Sequence, residues 1–150
     1  MAMEAIWRAK EEVGASSLFS LGDLCPDPGD PVWRGITGVR GNMDRWYQYG
    51  DLPFPPRERS FFWEGRTVYA FHGNEIPSFS PEKGDIVISG HTHIPSFRNK
   101  DGVFYVNPGS ASQPRTSLPP SFALLSAECF TLFSLLDLSI ISRRSFSSSQ

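Results

Sequence analysis

The feature that most constrains this fold is a series of short apolar or β-branched runs, each closed by Gly, Asn, Asp or Pro. Runs of this kind are typical of β-strands closed by turns. They predict strands at residues 18–21, 36–40, 60–63, 66–71, 86–89, 96–98, 103–106, 122–125 and 130–136. The pairs Glu64-Gly65 and Asp101-Gly102 predict hairpin turns between consecutive strands.

One amphipathic helix is predicted ahead of these strands, over residues 2–13. The apolar side chains of this segment follow helical spacing, and Gly14 stands where a C-terminal cap is expected. Residues 52–56, rich in proline, cannot form a helix or an interior strand and are predicted to be an extended surface loop.

Length and composition predict a single globular domain. The chain has 150 residues, of which 39% are hydrophobic, and its net charge is −2 without any run of Lys or Arg. This charge argues against the basic surface of a nucleic-acid-binding protein. The domain is predicted to span residues 1–142. Residues 143–150 are Ser-rich, have few apolar side chains, and are predicted to form a disordered tail.

Two other classes of protein are disfavoured. Cys25 and Cys129 cannot supply a disulfide framework, and the charged N-terminus lacks an apolar signal segment, so a cytoplasmic protein is predicted. Residues 122–141 resemble a membrane span in hydropathy. However, Glu128 and Asp137 would each cost about 2.5–3.5 kcal/mol near a bilayer centre. We therefore expect no membrane-spanning segment.

Four apolar runs end directly in polar residues that can hold a metal. These strand ends are Leu21-Gly22-Asp23, Gly41-Asn42-Met43-Asp44, Phe71-His72-Gly73-Asn74 and Gly90-His91-Thr92-His93. All three histidines of the chain lie at these ends, beside glycines that allow sharp turns. Because the carboxyl ends of parallel strands converge on one crevice, we expect these side chains to meet. For His72 taken alone, a structural role in the core is the alternative.

Imidazole, carboxylate and amide oxygen together favour Mn, Fe, Co, Ni or Zn. A pair of such ions, about 3.5 to 4 Å apart, is a known arrangement for phosphate ester hydrolysis, in which the ions activate water and neutralise charge on the phosphoryl oxygens. The sequence therefore predicts a metal centre at these strand ends, and Mn²⁺ is the ion we expect there.

The order of these motifs, followed by Asn107-Pro108-Gly109-Ser110, resembles the calcineurin-like metallophosphoesterases. Within that family the chain is most similar to the small, single-domain bacterial and archaeal phosphodiesterases. The resemblance implies an α/β fold, a four-layer α/β/β/α sandwich with a two-metal site at one edge. It gives no catalytic role to Asn107-Pro108-Gly109-Ser110, which we expect to form a structural turn.

The resemblance also implies roles for individual residues, carried over by motif position. Asp23 would bridge the two metals, and His93 would bind the first metal. Asn42, His72 and His91 would complete the second metal site. Asn42 and His91 are the expected catalytic residues, because both would face the phosphate and stabilise its added charge.

The chain departs from this family in its first motif. Relatives normally begin with a strand that ends in Asp-X-His, and no Asp-X-His occurs here. The first metal site keeps only Asp23 and His93, so that one ion instead of two is an open possibility. An unfilled slot is expected beside residues 18–21. Two explanations stay open: the start is internal to a longer gene product, or the chain is a natural remnant that has lost activity.

A second departure concerns Met43, where many relatives carry a histidine that protonates the leaving group. A thioether cannot donate a proton, so the leaving group must be stable as an anion or protonated from elsewhere. Asp44 then loses the task of orienting that histidine and is expected to cap a turn. Four nearby aromatic residues either line a substrate groove or pack in the core or at a subunit interface: Trp33, Trp46, Tyr47 and Tyr49.

The resulting hypothesis is a metal-dependent phosphodiesterase in which a metal-bound hydroxide attacks a phosphate ester substrate. One alternative is a phosphoesterase-like scaffold that binds other proteins without catalysis. Another is a single metal that only joins the four loops. A homo-oligomer is compatible with each of these hypotheses.

Overall fold

The computed structural model describes residues 3–111 and 117–146. Its first element is helix α1, Met3–Val13, which buries Met3, Ile6 and Ala9 along one face. Gly14 follows with a φ of +76°, the left-handed conformation that commonly ends helices. The predicted helix is confirmed, except for residue 2, which lies outside the described residues.

A five-stranded mixed sheet forms the centre of the structure. Its strands are β3 (Glu58–Trp63), β4 (Arg66–Phe71), β5 (Ile86–Ser89), β6 (Ser96–Lys100) and β7 (Val103–Asn107). They pair in the order β3-β4-β5-β7-β6, with β4, β5 and β7 parallel to one another. Both predicted hairpin turns are present, because the non-glycine and glycine residues of each turn have positive φ, as a type I′ turn requires.

Two smaller sheets complete the fold. Strands β1 (Leu18–Ser20) and β2 (Ile36–Gly38) pair in parallel, and β8 (Ser121–Leu125), β9 (Cys129–Ser134) and β10 (Ile140–Ser145) form an antiparallel sheet. Within the described part of the chain, β1 pairs with a strand on one edge only. The combination of mixed sheets with few helices confirms the predicted α/β class.

The main core lies between the five-stranded sheet and the sheet of β8, β9 and β10. Apolar side chains alternate inward along the strands of both sheets, as expected for half-buried strands. They form one buried cluster of Val68, Ile86, Phe104, Val106, Phe130 and Phe146. This core leaves the strand ends free to carry polar loops at the edge of the sandwich.

The predicted disordered tail is wrong for residues 143–146. Residues 140–145 form β10 on the edge of a sheet, and Phe146 is only 1% exposed. Arg66 donates to the Phe146 carbonyl oxygen and stacks over its ring. One buried aromatic side chain and the pairing with β9 thus hold a polar segment in place. Residues 147–150, the rest of that prediction, lie outside the described residues.

Other connections agree with the sequence-based predictions. Residues 52–56 form a loop without regular structure. Between Asp23 and β2 the helical structure is limited to a short 3₁₀ turn, Pro31–Trp33, and a second such turn covers Trp46–Gln48. Residues 122–141 hold strands, not a helix. A helix of the length and hydropathy needed to cross a bilayer is absent from the described chain.

Candidate metal centre

The predicted site residues lie at the carboxyl ends of two pairs of parallel strands. Asp23 and Asn42 follow β1 and β2, while His72 and His91 follow β4 and β5. The loops meet at one edge of the sandwich, because His72 contacts the side chains of all three other residues. The predicted convergence of these four residues is therefore present in the structure.

His72 is the centre of this cluster. Its side chain is 4% exposed, and its Nε2 atom faces three side-chain atoms that could coordinate a metal ion. These atoms are Asn42 Oδ1 at 3.0 Å, His91 Nδ1 at 3.1 Å and Asp23 Oδ2 at 3.2 Å. The rings of His72 and His91 meet nearly edge to face, with centroids 4.9 Å apart. Nitrogen and oxygen donors are thus brought together in a buried position.

The other nitrogen of His72 determines what Nε2 can do. Nδ1 lies 2.7 Å from the carbonyl oxygen of Leu21. Because a carbonyl oxygen only accepts hydrogen bonds, Nδ1 carries a hydrogen and Nε2 of the neutral ring presents a lone pair. That lone pair faces a carboxylate and an amide oxygen, which are also acceptors. The lone pair can be satisfied either by a hydrogen bond from His91 Nδ1 or by a metal ion, and the two facing oxygens make Nε2 a potential metal ligand.

The donor set fits a divalent metal on His72 Nε2. Neighbouring ligands of an octahedral ion with metal–ligand distances of ~2.1 Å are about 3.0 Å apart, which matches the three distances from Nε2. The fit relies on the amide oxygen of Asn42. Counting only His, Cys, Asp and Glu, the described chain contains no group of three placed to hold an ion. The donor types suit Mn, Fe, Co, Ni or Zn.

His93, the fifth predicted ligand, lies in the same loop as His91 and is half-buried. Asp23, His91 and His93 all have positive φ, between 58° and 62°. Left-handed backbone at non-glycine residues costs on the order of 1–3 kcal/mol each and is concentrated at functional sites. The backbone of the predicted ligands is therefore unusual, although a metal site around His93 stays a prediction.

Two glycines allow these loops to approach one another. Gly22 has a φ of +111°, and a Cβ atom there would lie 2.5 Å from Nδ1 of His72. A Cβ atom at Gly41 would collide with the side chain and backbone of Asp23. Any other residue at either position would push the Asp23 loop away from its neighbours.

Asp44 braces the Asp23 and Asn42 loops. Its carboxylate is buried and accepts backbone hydrogen bonds from Asp23 at 2.8 Å, Gly41 at 2.9 Å and Cys25 at 3.0 Å. The predicted turn cap is confirmed by the bond to Gly41. The links to residues 23 and 25 were not predicted, and a carboxylate in the motif Gly-Asn-X-Asp was the only available signal.

Tyr49 supplies the fourth hydrogen bond to Asp44, from its hydroxyl at 2.8 Å. Burial raises the pKa of the Tyr49 hydroxyl, and the hydrogen bond to Asp44 raises it further. The phenol therefore stays protonated as a donor. Four aromatic residues were expected either to line a substrate groove or to pack in the core or at a subunit interface. Of these, Tyr49 is buried in the core, whereas Trp46 and Tyr47 are 74% and 66% exposed.

Asn107 braces the His91 loop. Its buried amide group donates to the carbonyl oxygen of Gly90 at 2.9 Å and to Oγ1 of Thr92 at 3.2 Å. Its amide oxygen accepts from the backbone of Gly109 at 2.9 Å. The structural turn expected at this motif is thus present, and it also orients the residues on either side of His91.

A cavity of about 210 Å³ lies beside the cluster and is lined by His72, Gly41, Arg40 and Arg57 among others. Arg57 pairs with Glu75, another lining residue. Arg40 is half-buried, donates to the Pro55 carbonyl oxygen and forms no ion pair within the described residues. Glu58 also lines the cavity, so its charged lining consists of two arginines and two glutamates, of which Arg40 is the cation without an ion pair among the described residues.

Comparison with known proteins identifies relatives of this chain. The sequence pattern described as "Calcineurin-like phosphoesterase superfamily domain" matches residues 2–129. Phosphodiesterase YfcE of Escherichia coli K12 is 30% identical over 120 residues, which are 75% of this chain and 64% of YfcE. The chain thus spans somewhat less than two thirds of that relative. A probable metallophosphoesterase of Methanothermobacter thermautotrophicus is 35% identical over 131 residues, covering 81% of this chain and 69% of the relative.

Solved structures show the same fold. The structure of YfcE, described as a phosphoesterase from E. coli, superposes with a TM-score of 0.83 over 97% of this chain and 92% of that one, at 24% identity. Vps29 from Entamoeba histolytica, solved in complex with Zn²⁺, gives a TM-score of 0.64 over 95% of this chain and 89% of that one, at 20% identity. The predicted metallophosphoesterase fold is confirmed.

Proposed function

The chain belongs to the calcineurin-like phosphoesterase superfamily, and on that basis we propose that it is a metal-dependent phosphodiesterase. The observation that carries this proposal is the lone pair of His72 Nε2, which faces donor atoms of Asp23, Asn42 and His91 at 3.0–3.2 Å. Mn²⁺ is the ion we propose, and one or two ions are compatible with the donor set. Action on a phosphate ester in the cytoplasm is part of the same proposal.

Each residue has a defined task in this proposal. Five residues would hold the divalent metal: Asp23, Asn42, His72, His91 and His93. When bound, the metal would activate water and neutralise charge on the phosphoryl oxygens. Asn42 and His91 orient the phosphate and stabilise the charge that develops on it. The carbonyl oxygen of Leu21 keeps the hydrogen of His72 on Nδ1, so Nε2 stays available.

Arg40 and Met43 limit the choice of substrate. Arg40, which has no ion pair among the described residues, places a positive charge in the cavity beside His72, and this charge suits the single negative charge of a phosphodiester. Met43, 57% exposed, cannot protonate a leaving group. We therefore expect esters whose leaving group is stable as an anion to react fastest.

The test is hydrolysis of bis(p-nitrophenyl) phosphate by the purified chain in the presence of Mn²⁺. We expect turnover that requires the metal and falls at least 100-fold in His72→Ala and Asn42→Ala, because loss of a group that only orients a metal ligand already costs about 10–100-fold. Asn99→Ala, a matched amide removal in the β6–β7 hairpin, should keep its activity. Turnover that persists in His72→Ala or without metal would contradict the proposal.

The second candidate function is a scaffold that binds other proteins without catalysis. Two observations favour it: Vps29 structures share the fold, and the described residues contain no three His, Cys, Asp or Glu side chains around one point. Calorimetry with Mn²⁺ separates the two functions. Metal binding that depends on His72, without any hydrolysis of bis(p-nitrophenyl) phosphate, would favour the scaffold.

A further inference from the structure

A second cavity, of about 390 Å³, lies on the five-stranded sheet and is lined by none of the five candidate metal ligands. Strand pairing sets Tyr69 beside Val87, Val87 beside Tyr105, and Tyr105 beside Arg98. Because side chains alternate along a strand, this row points away from the core that holds Val68, Ile86 and Phe104. The cavity therefore opens on the outer face of the sheet.

The segment between β4 and β5 forms one wall of this cavity and is anchored at two points. The ring of Phe79 stacks on Tyr69, with centroids 4.6 Å apart, and meets Phe71 edge to face at 5.4 Å. One residue earlier, the backbone and hydroxyl of Ser78 both donate to the carboxylate of Glu58. The wall is thus held in position by contacts within the chain, so the cavity is preformed.

The lining of the cavity is aromatic with one charge. Phe71, Phe79 and Tyr105 supply ring surfaces, and Arg98 is the single charged side chain among the residues that line it. Arg98 is exposed and forms no ion pair with any part of the chain that the structure describes. A guanidinium group beside aromatic walls complements a planar, negatively charged ligand. The volume falls within the ~300–1,000 Å³ of small-molecule sites.

We propose that this cavity binds a small aromatic molecule that carries one anionic group, with the ring against Phe79 and Tyr105 and the anion on the Arg98 guanidinium. Thr92 and Asn107 also line the cavity, and they are hydrogen-bonded to each other. A bound ligand therefore lies against the back of the loop that carries His91. This site is separate from the metal centre and does not depend on hydrolysis.

Calorimetry on the full chain tests the proposal with three indoles of similar shape: indole-3-acetate, neutral indole-3-ethanol and cationic tryptamine. We expect indole-3-acetate to bind at least tenfold more tightly than the other two compounds. Arg98→Gln should weaken indole-3-acetate binding at least tenfold. Lys100→Gln, which removes an exposed cation two residues further along β6, should change it less than twofold. Circular dichroism checks that both variants are folded.

Several results would overturn the proposal. They are the absence of indole-3-acetate binding, equal binding of the neutral indole, and unchanged binding to Arg98→Gln. Loss of binding in His72→Ala would place the ligand at the metal centre instead. Sedimentation of the free chain gives a further test, because a dimer abolished by Arg98→Gln would show that a second copy of the chain occupies this face.

Discussion

The two halves of the candidate metal centre rest on different supports. His72 and His91 follow strands of the five-stranded sheet, in which Val68, Ala70 and Ile86 have no exposed surface. Asp23 and Asn42 follow β1 and β2, a pair of three-residue strands whose side chains are mostly half-buried or exposed. Local stability follows the density of buried contacts. The stability of the Asp23 and Asn42 loops therefore depends more on side-chain hydrogen bonds than does that of the His72 and His91 loops.

Each half has its own polar brace. Asp44 ties the Asp23 loop to the Asn42 loop through three backbone N–H groups, while Asn107 ties its own turn at Gly109 to the residues that flank His91. Where the sheet is small, hydrogen bonds to the buried Asp44 carboxylate stabilise the loops that packing against a sheet stabilises in the other half. Four variants, ordered by the size of the expected effect, test this view.

The largest effect is expected from Phe146→Ala, because it empties a site in the main core. Phe→Ala changes in cores cost about 3–5 kcal/mol, and Phe146 contacts Arg66, Phe97 and Phe104. We expect that loss in urea unfolding. Phe62→Ala, at a side chain 76% exposed, should change the free energy of unfolding by less than about 0.5 kcal/mol. Equal effects would mean that residue 146 does not pack in the core.

Asp44→Ala should have the next largest effect and should act on one half of the site. The change leaves three backbone donors and the Tyr49 hydroxyl without their acceptor, at a cost of about 2–3 kcal/mol. Hydrogen exchange should accelerate at residues 23–25, and Mn²⁺ affinity should fall about 10-fold or more. The loop at residues 90–93 should keep its protection.

The matched control for this variant is Asp51→Ala. Asp51 pairs with Arg34 at the surface, where such pairs contribute about 0–1 kcal/mol. A similar loss of Mn²⁺ affinity in both variants would mean that Asp44 has no special role in holding the two loops.

These braces mark the limit of what the sequence could predict. The candidate ligands follow strand ends, and that local pattern was sufficient to predict that Asp23, Asn42, His72 and His91 lie close together. The hydrogen bond from Asp23 to the Asp44 carboxylate joins residues 21 positions apart. No local pattern specifies such a contact, because it depends on how β1 and β2 pair.

The fold was predictable to a similar extent. Strands with apolar alternation and both Xaa-Gly hairpins were predicted, whereas β10 was missed. Its sequence contains Arg143 and Arg144, which suit an exposed edge strand but look like a polar tail. The packing of Phe146 against Phe97 and Phe104, distant in sequence, is what orders this segment.

Asn107→Ala should give a smaller loss of stability than Asp44→Ala and should act on the other half of the site. It removes two donors and one acceptor of a buried amide, at about 1–2 kcal/mol. We expect faster hydrogen exchange at residues 90–93 and unchanged exchange at residues 23–25. Asn99→Ala, which removes one hairpin contact, is the control. Faster exchange in both halves would show that the two supports are not independent.

The smallest effect is expected from Ser78→Ala, remote from both braces. Hydrogen bonds from the Ser78 hydroxyl and backbone lower the pKa of Glu58 below its usual value. Because the folded pKa is lowered, this interaction stabilises the fold above the ordinary Glu pKa and is lost as pH falls through the lowered one. Ser78→Ala should raise the Glu58 pKa, measured by NMR titration of its carboxyl carbon, while the exchange rates of both ligand loops stay unchanged. A Glu58 titration identical in the two proteins would show that the Ser78 hydroxyl does not hold this segment against β3.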